Sequence, residues 1–211
     1  MKATLLNVMG NDLTVVDAAR VSFKKGHKEF SEEQNHRLIK YLADHGHYSP
    51  FGHCFASFHI KAPVFVRAQL VKHEYLRMNE VSRRYVDDTP EFYHPESWRS
   101  RAKDKKQGSG EPLKNYEDGG GWGLYGSQLM LYESMLEDGV APEMARMVLP
   151  QSMYTEWYWS GSLDAFANMA KLRLKEDTQQ ETREIAKQVS NQMAIKFPKS
   201  WEALLNESMQ K

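Results

Sequence analysis

The fold of this chain is limited most by one junction, where an apolar run gives way abruptly to a polar segment. Residues 62–66 read Ala-Pro-Val-Phe-Val, which is typical of a buried element. The segment Lys72–Tyr85 follows, and its fourteen residues include one lysine, one histidine, three arginines, two glutamates, one asparagine and one serine. We therefore expect these charged side chains to lie at the end of a core element rather than on a free loop.

The polar segment has two interpretations. Arginine guanidinium groups bind phosphate through paired N–H donors, and a serine hydroxyl beside them adds another donor. A cluster of ion pairs within one subunit has the same composition. The residue types alone leave both open.

Length and composition exclude several classes of protein. A chain of 211 residues is expected to form a single domain, residues 1–211. Its 28 basic and 28 acidic residues give no net charge, which argues against a general nucleic-acid or membrane-surface binder. No apolar run approaches the ~20 residues of a membrane span, and the N-terminus is too poor in apolar residues for a secretory signal. One cysteine fits a reducing compartment, so we predict a cytoplasmic protein.

The single cysteine and the eight histidines were considered as reactive groups. Cys54 lies in a predicted strand, where a free cysteine is more often a buried hydrophobe than a nucleophile. A zinc site could be assembled from His45, His47, His53 and His59. However, no histidine pair has i, i+4 spacing with a third ligand nearby, and there is no thiolate cluster. We predict no metal site.

The first half of the chain alternates short strands and helices. Strands are predicted at residues 3–9 and 13–16 around the turn 10–12, and again at 53–61. A helix is predicted from Ser31, with Gln34 as its capping-box partner and Gly46 at its end. The remaining predictions are a helix from Pro63, in its first turn, to about Tyr75 and an extended segment at 82–86.

The second half is predicted to be rich in helix. A lysine- and glycine-rich loop at about residues 100–121 is either a solvated insertion or a lid over a site. The aromatic run Tyr154–Trp159 is β-prone, and packing in a core is favoured over stacking on a ligand. Helices are predicted at 124–137, from Pro142 through Arg146, and at 163–174, 181–197 and 200–209. The fold class is α+β, with a small, mostly antiparallel sheet and helices packed on it.

The polar segment resembles the signature of flavin-dependent thymidylate synthases. That signature reads Arg-His-Arg, two residues, Ser, one residue, Asn-Glu, one residue, Ser, one residue, Arg-Tyr. The residues of this chain that match it in place are His73, Asn79, Glu80, Ser82, Arg84 and Tyr85. Three positions depart from it: Lys72 and Glu74 replace the two arginines, and Arg77 replaces the first serine.

Three further segments are similar to the same family. Residues 16–23 contain its Ala-Arg-Val-Ser block, and residues 45–53 contain its His-x-Ser-Pro-Phe-x-His block. Residues 143–150, then Leu172-Arg173 with Gln179 and Glu181, match its last two blocks. The resemblance extends over about residues 14–206. Ordered blocks of this kind are far harder to obtain by chance than one motif.

The resemblance implies an activity, cofactors and an assembly. It implies conversion of dUMP to dTMP, with methylenetetrahydrofolate as carbon donor and NADPH reducing FAD, without a cysteine adduct. It also implies a homotetramer whose active sites lie between subunits. Two alternatives stay open: a related C5 modification of a pyrimidine nucleotide, such as hydroxymethylation, and a nucleotide-binding module without catalysis.

The resemblance also assigns residues to the nucleotide. Those assigned to dUMP are Gln69, Ser82, Arg83, Arg84, Arg146 and Arg173. Arg83 would act through its backbone amide, and Arg146 would reach in from a neighbouring subunit. Ser82 and Arg173 are predicted to be catalytic. For Arg173 the reason is that a cation at the pyrimidine carbonyls stabilises an enolate-like uracil. On sequence alone, Arg173 could equally be a favourable charge at a helix C-terminus.

A second set of residues is assigned to the flavin. The predicted FAD-binding residues are His53, Lys72, His73, Glu74, Asn79, Glu80, Asn168 and Gln179, with Arg20 and Ser22 as weaker candidates. We hypothesise that Arg77 replaces the missing cationic contact across one helical turn and that Glu74 orients it. Asp164 and Asp177 also depart from the family's pattern, since it commonly has an arginine and a histidine at these two positions.

Overall fold

A four-stranded antiparallel sheet, in the order β1-β2-β6-β3, organises the chain. The computed structural model describes residues 1–103, 107–114, 116 and 120–206. The strands are β1 Lys2–Met9, β2 Phe55–Pro63, β3 Leu76–Glu80 and β6 Tyr154–Ser162, with a separate hairpin of β4 Arg99–Arg101 and β5 Ser109–Pro112. The helices are α1 Asp12–Arg20, α2 Glu32–Asp44, α3 Val64–Leu70, α4 Gly120–Glu137, α5 Pro142–Ala145, α6 Leu163–Arg173, α7 Gln180–Lys196 and α8 Pro198–Leu205.

One face of the sheet holds the core. Phe58 pairs with Trp159 across β2 and β6, and both side chains are fully buried. Phe166 of α6 packs edge-on against both rings, with ring centroids 5.2 and 5.3 Å away. Because side chains alternate along a strand, Tyr158 lies on the other face and is 59% exposed. The predicted core role of the aromatic run is thus confirmed for its buried tryptophans.

The prediction of a capped helix after Ser31 is confirmed. The Gln34 amide donates to Ser31 Oγ at 3.2 Å, and the Ser31 amide donates to Gln34 Oε1 at 2.9 Å. These reciprocal bonds satisfy donors that the first helical turn leaves open. Gly46 follows the helix with a φ of +67°, a backbone angle that glycine adopts without steric cost.

The prediction of a strand at residues 13–16 is wrong, because α1 begins there. Asn11 caps this helix, since its side chain accepts hydrogen bonds from the amides of Leu13 at 2.9 Å and Thr14 at 3.2 Å. Thr14 Oγ1 accepts from the Asn11 amide at 3.1 Å and completes a capping box. These bonds, with burial of Val15 and Val16, outweigh the β propensity of the valines.

The boundaries predicted around the polar segment are also wrong. Pro63 ends β2 and lies just before α3, which stops at Leu70 rather than at Tyr75. The extended part is 76–80, where Leu76 pairs with Gly161 and Glu80 with Trp157, whereas residues 83–85 form a turn. Pairing with a strand some 80 residues away therefore decides this segment, and no local pattern could reveal it.

The lysine- and glycine-rich segment contains the hairpin of β4 and β5. Arg99 Nε donates to Ser109 Oγ at 2.7 Å across it. A Cβ on Gly108 would lie 3.1 Å from the carbonyl oxygen of Asp177, so the hairpin packs closely on the chain before α7. Residues 107–112 are otherwise mostly exposed, so the solvated insertion and the lid stay alternative predictions for this segment. The predictions for 104–106, 115, 117–119 and 207–209 lie outside the described residues.

Over the described ranges, no helix combines the length and apolar character needed to cross a membrane.

Candidate active site

A cavity of about 520 Å³ lies where β3 ends and β6 begins. It brings together four residues that the sequence analysis assigned to ligands: Glu80, Ser82, Arg83 and Arg146. Glu80 ends β3, Ser82 and Arg83 lie at the turn that follows, and Arg146 follows α5. The lining includes three basic side chains and four carboxylates: Lys61, Arg83 and Arg146, and Glu80, Asp88, Glu91 and Glu156. We call this space the anion cavity, because the Ser82 hydroxyl and the basic side chains are donors that an anion could use.

Arg83 and Glu80 have partners that fix their side chains in this cavity. Arg83 Nη1 lies 2.7 Å from Asp88 Oδ1 and also donates to the Asp88 carbonyl oxygen. Glu80 Oε2 lies 2.7 Å from Arg67 Nη2, and Glu80 Oε1 accepts from Thr155 Oγ1 at 2.9 Å. These pairs give the cavity a defined wall. The sequence analysis missed Arg67 and Thr155, although an arginine in the apolar helix α3 was a usable signal.

Arg84 lies beside α5 and is not among the residues that line the anion cavity. Its Nε is 3.4 Å from Glu143 Oε2, and its amide donates to Ser82 Oγ at 3.3 Å. Arg146 Nε donates to the carbonyl oxygen of the same Glu143 at 3.3 Å. Glu143 thus holds Arg84 and Arg146 near each other within one chain, with the Arg84 side chain about half exposed.

A second group of predicted residues surrounds Arg173 at the end of α6. Arg173 Nε donates to His73 Nε2 at 2.9 Å, and Arg173 Nη2 donates to the carbonyl oxygen of Gln69 at 2.8 Å. The Gln69 side chain donates to Gln179 Oε1 at 2.5 Å. We call these four residues the arginine clamp. Arg173 is thus not merely a charge at the end of a helix, because its guanidinium is bound by two residues about 100 positions away in sequence.

Burial shapes the protonation of the arginine clamp. Burial, together with the charge of Arg173, lowers the pKa of His73 to about 4. The imidazole is therefore neutral at physiological pH and can accept the hydrogen bond from Arg173. Burial also lowers the pKa of Arg173, although a guanidinium remains charged at any physiological pH.

The other predicted flavin residues lie at the surface. Lys72 and Glu74 are exposed between α3 and β3, and Asn79 is exposed on β3. His53 and Asn168 are exposed as well. Between Glu74 and β3, Tyr75 is 77% exposed and has a φ of +63°, which is uncommon for a residue with a bulky side chain.

The helical premise for Arg77 is wrong. Arg77 lies on β3 and Glu74 in the turn before it, because α3 has already ended at Leu70. Within the residues that the structure describes, no ion pair joins Glu74 to Arg77. The two weaker flavin candidates are also placed: Arg20 donates to Asn35 Oδ1 at 3.1 Å, and Ser22 is exposed.

A second cavity, of about 350 Å³, lies between the hairpin and the start of α7. Its walls include the rings of Phe65, Tyr93 and Trp98. Glu181, only 4% exposed, accepts from Arg99 Nη2 at 2.6 Å and from the Tyr93 hydroxyl at 3.2 Å. Burial acts most strongly and raises the pKa of Glu181, but the hydrogen bonds that the carboxylate accepts and the charge of Arg99 together outweigh burial and leave the pKa lowered. Sequence reasoning missed Tyr93 and Arg99, which carry no local signal.

The residues considered for a zinc site have other partners. His59 Nε2 lies 2.9 Å from Glu156 Oε2, and His45 Nδ1 lies 2.8 Å from the Tyr41 carbonyl oxygen. Across the described parts of the chain, no three histidine, cysteine or acidic side chains are grouped as a metal site requires.

Replacement of Cys54 by alanine is expected to leave the rate of the catalysed reaction within about twofold of the wild type. The Cys54 side chain is fully buried, and burial raises the pKa of its thiol to about 11, so the nucleophilic thiolate is scarce at pH 7. Steady-state kinetics of Cys54→Ala would test this, with circular dichroism as the control for folding. Loss of turnover in a folded variant would contradict the expectation.

The fold and these contacts define an α+β protein with a charged cavity at the end of β3 and a clamped arginine at the end of α6. The family model described as thymidylate synthase complementing protein matches residues 4–199. A flavin-dependent thymidylate synthase from Kosmotoga olearia is 40% identical over 211 residues, covering 96% of this chain and 89% of that relative. Another, from Thermus thermophilus, is 40% identical over 207 residues, covering 94% of this chain and 73% of the relative.

A solved structure is similar as well. The UMP/dUMP methylase PolB from Streptomyces cacaoi, bound with 5-Br dUMP, superposes with a TM-score of 0.83 at 28% identity, over 96% of this chain and 93% of that one. This chain belongs to the flavin-dependent thymidylate synthase family. The resemblance drawn from the sequence blocks is therefore confirmed.

Proposed function

We propose that this chain catalyses the FAD-dependent reductive methylation of dUMP to dTMP, with methylenetetrahydrofolate as carbon donor and NADPH as reductant. The observation that carries the proposal is the convergence of Glu80 and Ser82, from one sequence block, and Arg146, from another, on the anion cavity. Relatives named for this activity, 40% identical over nearly the whole chain, support it.

The dUMP phosphate would be bound at the anion cavity. Ser82 supplies a hydroxyl donor, the Arg83 amide a backbone donor, and Arg84 and Arg146 supply guanidinium groups. A phosphate dianion is a stronger acceptor than one carboxylate, so Arg84 would exchange its 3.4 Å contact with Glu143 for the phosphate. Ser82 Oγ accepts from the Arg84 amide, so its hydroxyl proton is available to donate to the same phosphate.

The uracil ring would be bound at the arginine clamp. Negative charge develops on the uracil carbonyls as C5 becomes nucleophilic, and the Arg173 guanidinium would stabilise that charge. Because the partly buried cation is already held by His73 and Gln69, little reorganisation is needed when the charge appears. This electrostatic role takes the place of attack by a thiolate, for which the buried Cys54 is unsuited.

The surface residues of the polar segment fit a large cofactor with a pyrophosphate and a flat ring. Lys72 offers a cation, Asn79 an amide, and Tyr75 an exposed ring, all within eight residues. His53, Asn168, Glu74 and Gln179 would complete the flavin site with His73 and Glu80. FAD bound there, once reduced by NADPH, supplies the hydride that completes the methyl group.

We further propose a homotetramer of single-domain subunits, residues 1–211, with active sites between subunits. Two observations support it. Among the described residues, the anion cavity is lined by Arg146 but not by Arg173, so one chain does not by itself surround a whole nucleotide. Apolar side chains such as Met9 on the edge strand β1 and Tyr75 before β3 are also more than half exposed.

The experiment is product analysis by mass spectrometry. Purified protein reconstituted with FAD is incubated with dUMP, methylenetetrahydrofolate and NADPH, and the expected product has the mass of dTMP. A product heavier by one oxygen atom would instead indicate hydroxymethylation. Protein that cannot be reconstituted with FAD, or whose flavin absorbance is not bleached by NADPH, would indicate a nucleotide-binding module without catalysis.

A second candidate substrate is UMP. Solved structures of the similar methylase PolB contain either 5-Br UMP or 5-Br dUMP, so this fold accommodates both sugars in that protein. The same assay with UMP in place of dUMP separates the two, because the ribose and deoxyribose products differ in mass.

A further inference from the structure

We propose that His73 is a positioning residue for Arg173: it binds one edge of the guanidinium and leaves the opposite edge free for the pyrimidine. This inference rests on the proposed function, since it refines how the uracil is recognised. It gives the histidine of the polar segment a role toward the nucleotide, in addition to the flavin contact predicted from the sequence.

The contacts of Arg173 carry the inference. A guanidinium is a rigid plane with five N–H donors, and its Nε–H and one Nη2–H point from the same edge. In this protein Nε donates to His73 Nε2 at 2.9 Å and Nη2 donates to the Gln69 carbonyl oxygen at 2.8 Å. That edge is therefore occupied by the protein. The Nη1 donors and the second Nη2 donor remain, and they match acceptors that lie side by side on a planar ring.

Both anchors of the guanidinium are themselves held. The Gln69 side chain donates to Gln179 Oε1 at 2.5 Å, and its carbonyl belongs to helix α3. The His73 amide donates to the Leu70 carbonyl oxygen at 3.2 Å, which closes a turn after the helix. With two fixed anchors the guanidinium plane has a single orientation. With the Gln69 carbonyl alone it could rotate about one hydrogen bond, and each reorientation would cost binding energy.

The proposed role requires a neutral imidazole. His73 Nε2 accepts from a group that only donates, so the ring proton of the neutral form must be on Nδ1. Arg173, from α6, is the charged group that acts on His73, and the α3 residues in contact with the clamp, Gln69 and Leu70, are uncharged. With its pKa near 4, His73 meets the requirement throughout the physiological pH range.

The test compares three variants of the FAD-loaded protein: His73→Ala, His73→Gln and, as a matched control, His36→Gln on α2. The glutamine Oε1 can occupy the place of Nε2 and accept from Arg173 without titrating, whereas alanine removes the acceptor. By isothermal titration calorimetry at pH 7.5 we expect His73→Ala to weaken dUMP binding about tenfold or more. We expect His73→Gln to stay within about threefold of the wild type and His36→Gln to be unchanged.

A second measurement separates positioning of Arg173 from flavin binding. FAD affinity of each variant is measured by flavin fluorescence, and dUMP titrations are done with the flavin site saturated. Equal dUMP affinity for the wild type and His73→Ala would overturn the inference, as would equal losses in the alanine and glutamine variants. Absence of dTMP formation by the wild type would instead refute the proposed function, and the dUMP titrations would still report on the clamp.

The pH dependence of stability checks the protonation state. The folded pKa of His73 is about 4, below its ordinary value of 6.5. The unfolded chain therefore binds more protons between pH 6.5 and 4, and stability falls as pH falls through that window. We expect the melting temperature of the wild type to drop more steeply there than that of His73→Gln. Parallel curves would mean that folding leaves the pKa of His73 at its ordinary value, which contradicts a ring held neutral as the acceptor for Arg173.

Discussion

Replacement of Arg173 by alanine is expected to lower kcat for dTMP formation by about 10²–10³-fold, the cost typical of removing one preorganised donor from a developing oxyanion. The guanidinium is partly buried and already oriented by His73 and Gln69, so it need not move to stabilise the charge that develops on the uracil. With alanine at this position, only water or weaker donors would stabilise the negative charge that develops on the uracil. Single-turnover measurement of dTMP, with FAD reduced beforehand, isolates this step from cofactor reduction.

Arg173→Lys is the control that keeps the positive charge at this position but removes the planar geometry of the guanidinium. Lysine keeps the positive charge but lacks the planar fork, so Arg173→Lys cannot bind His73 and Gln69 while also presenting paired donors to a ring. We expect most of the loss to remain in Arg173→Lys, with flavin content unchanged. Growth of a thymidine-requiring host on a gene encoding Arg173→Ala, at the rate given by the wild-type gene, would remove Arg173 from the mechanism.

Replacement of Arg99 by alanine is expected to lower the free energy of unfolding by about 3–5 kcal/mol, the range for breaking one side of a buried ion pair. Glu181 is 4% exposed, and its Oε1 loses the Arg99 contact of 2.6 Å. The Tyr93 hydroxyl at 3.2 Å then remains as a neutral donor. Urea denaturation, followed by tryptophan fluorescence in the absence of ligands, measures the change.

Two further variants make the Arg99 result specific. Arg101→Ala, on the same strand β4 but exposed, is expected to change stability by less than about 0.5 kcal/mol. The double variant Arg99→Ala/Glu181→Gln is expected to recover part of the loss, because it removes the uncompensated charge. If Arg99→Ala and Arg101→Ala proved equally mild, the pair of Arg99 with Glu181 would be a surface contact of little energetic value.

The same pair determines how stability responds to acid. The pKa of Glu181 is lowered in the fold, so its contribution is present above its ordinary value of 4.5 and is lost as pH falls below it. Burial without Arg99 acts in the opposite direction and raises the pKa. In Arg99→Ala, protonation of Glu181 would therefore neutralise a buried charge that has lost its cation, rather than remove a stabilising contact.

The stability test also bears on the site, because a short series of contacts joins the two regions. Glu181 lies in the first turn of α7, and Gln179, just before that helix, binds Gln69 of the arginine clamp. The hairpin is tied to Glu181 through Arg99. A measurement of dUMP affinity in the Arg99→Ala variant would show whether loosening the hairpin disturbs Arg173.

Local patterns predicted those features that depend on neighbours in sequence. The capping box of Ser31 and Gln34 is a hydrogen-bonding pattern complete within four residues, and the structure contains it. Ser82 was chosen from its neighbours as well, because a hydroxyl beside two arginines suits an anion, and the structure places it at a cavity. The cap bonds of Asn11 are equally local, but the β propensity of the valines that follow led to the wrong prediction of a strand.

The sequence by itself determined the capped helix α2, through residues within one turn, and the resemblance of its ordered blocks to the family, which in turn assigned Ser82, Arg146 and Arg173 to the nucleotide. Only the tertiary structure decided that residues 76–80 form a strand, that Arg67 binds Glu80 and that Arg173 binds His73. Such contacts join residues that are far apart in sequence, so they produce no periodic pattern of residue types along the chain. They form when β6 brings β3 and α6 to the same end of the sheet.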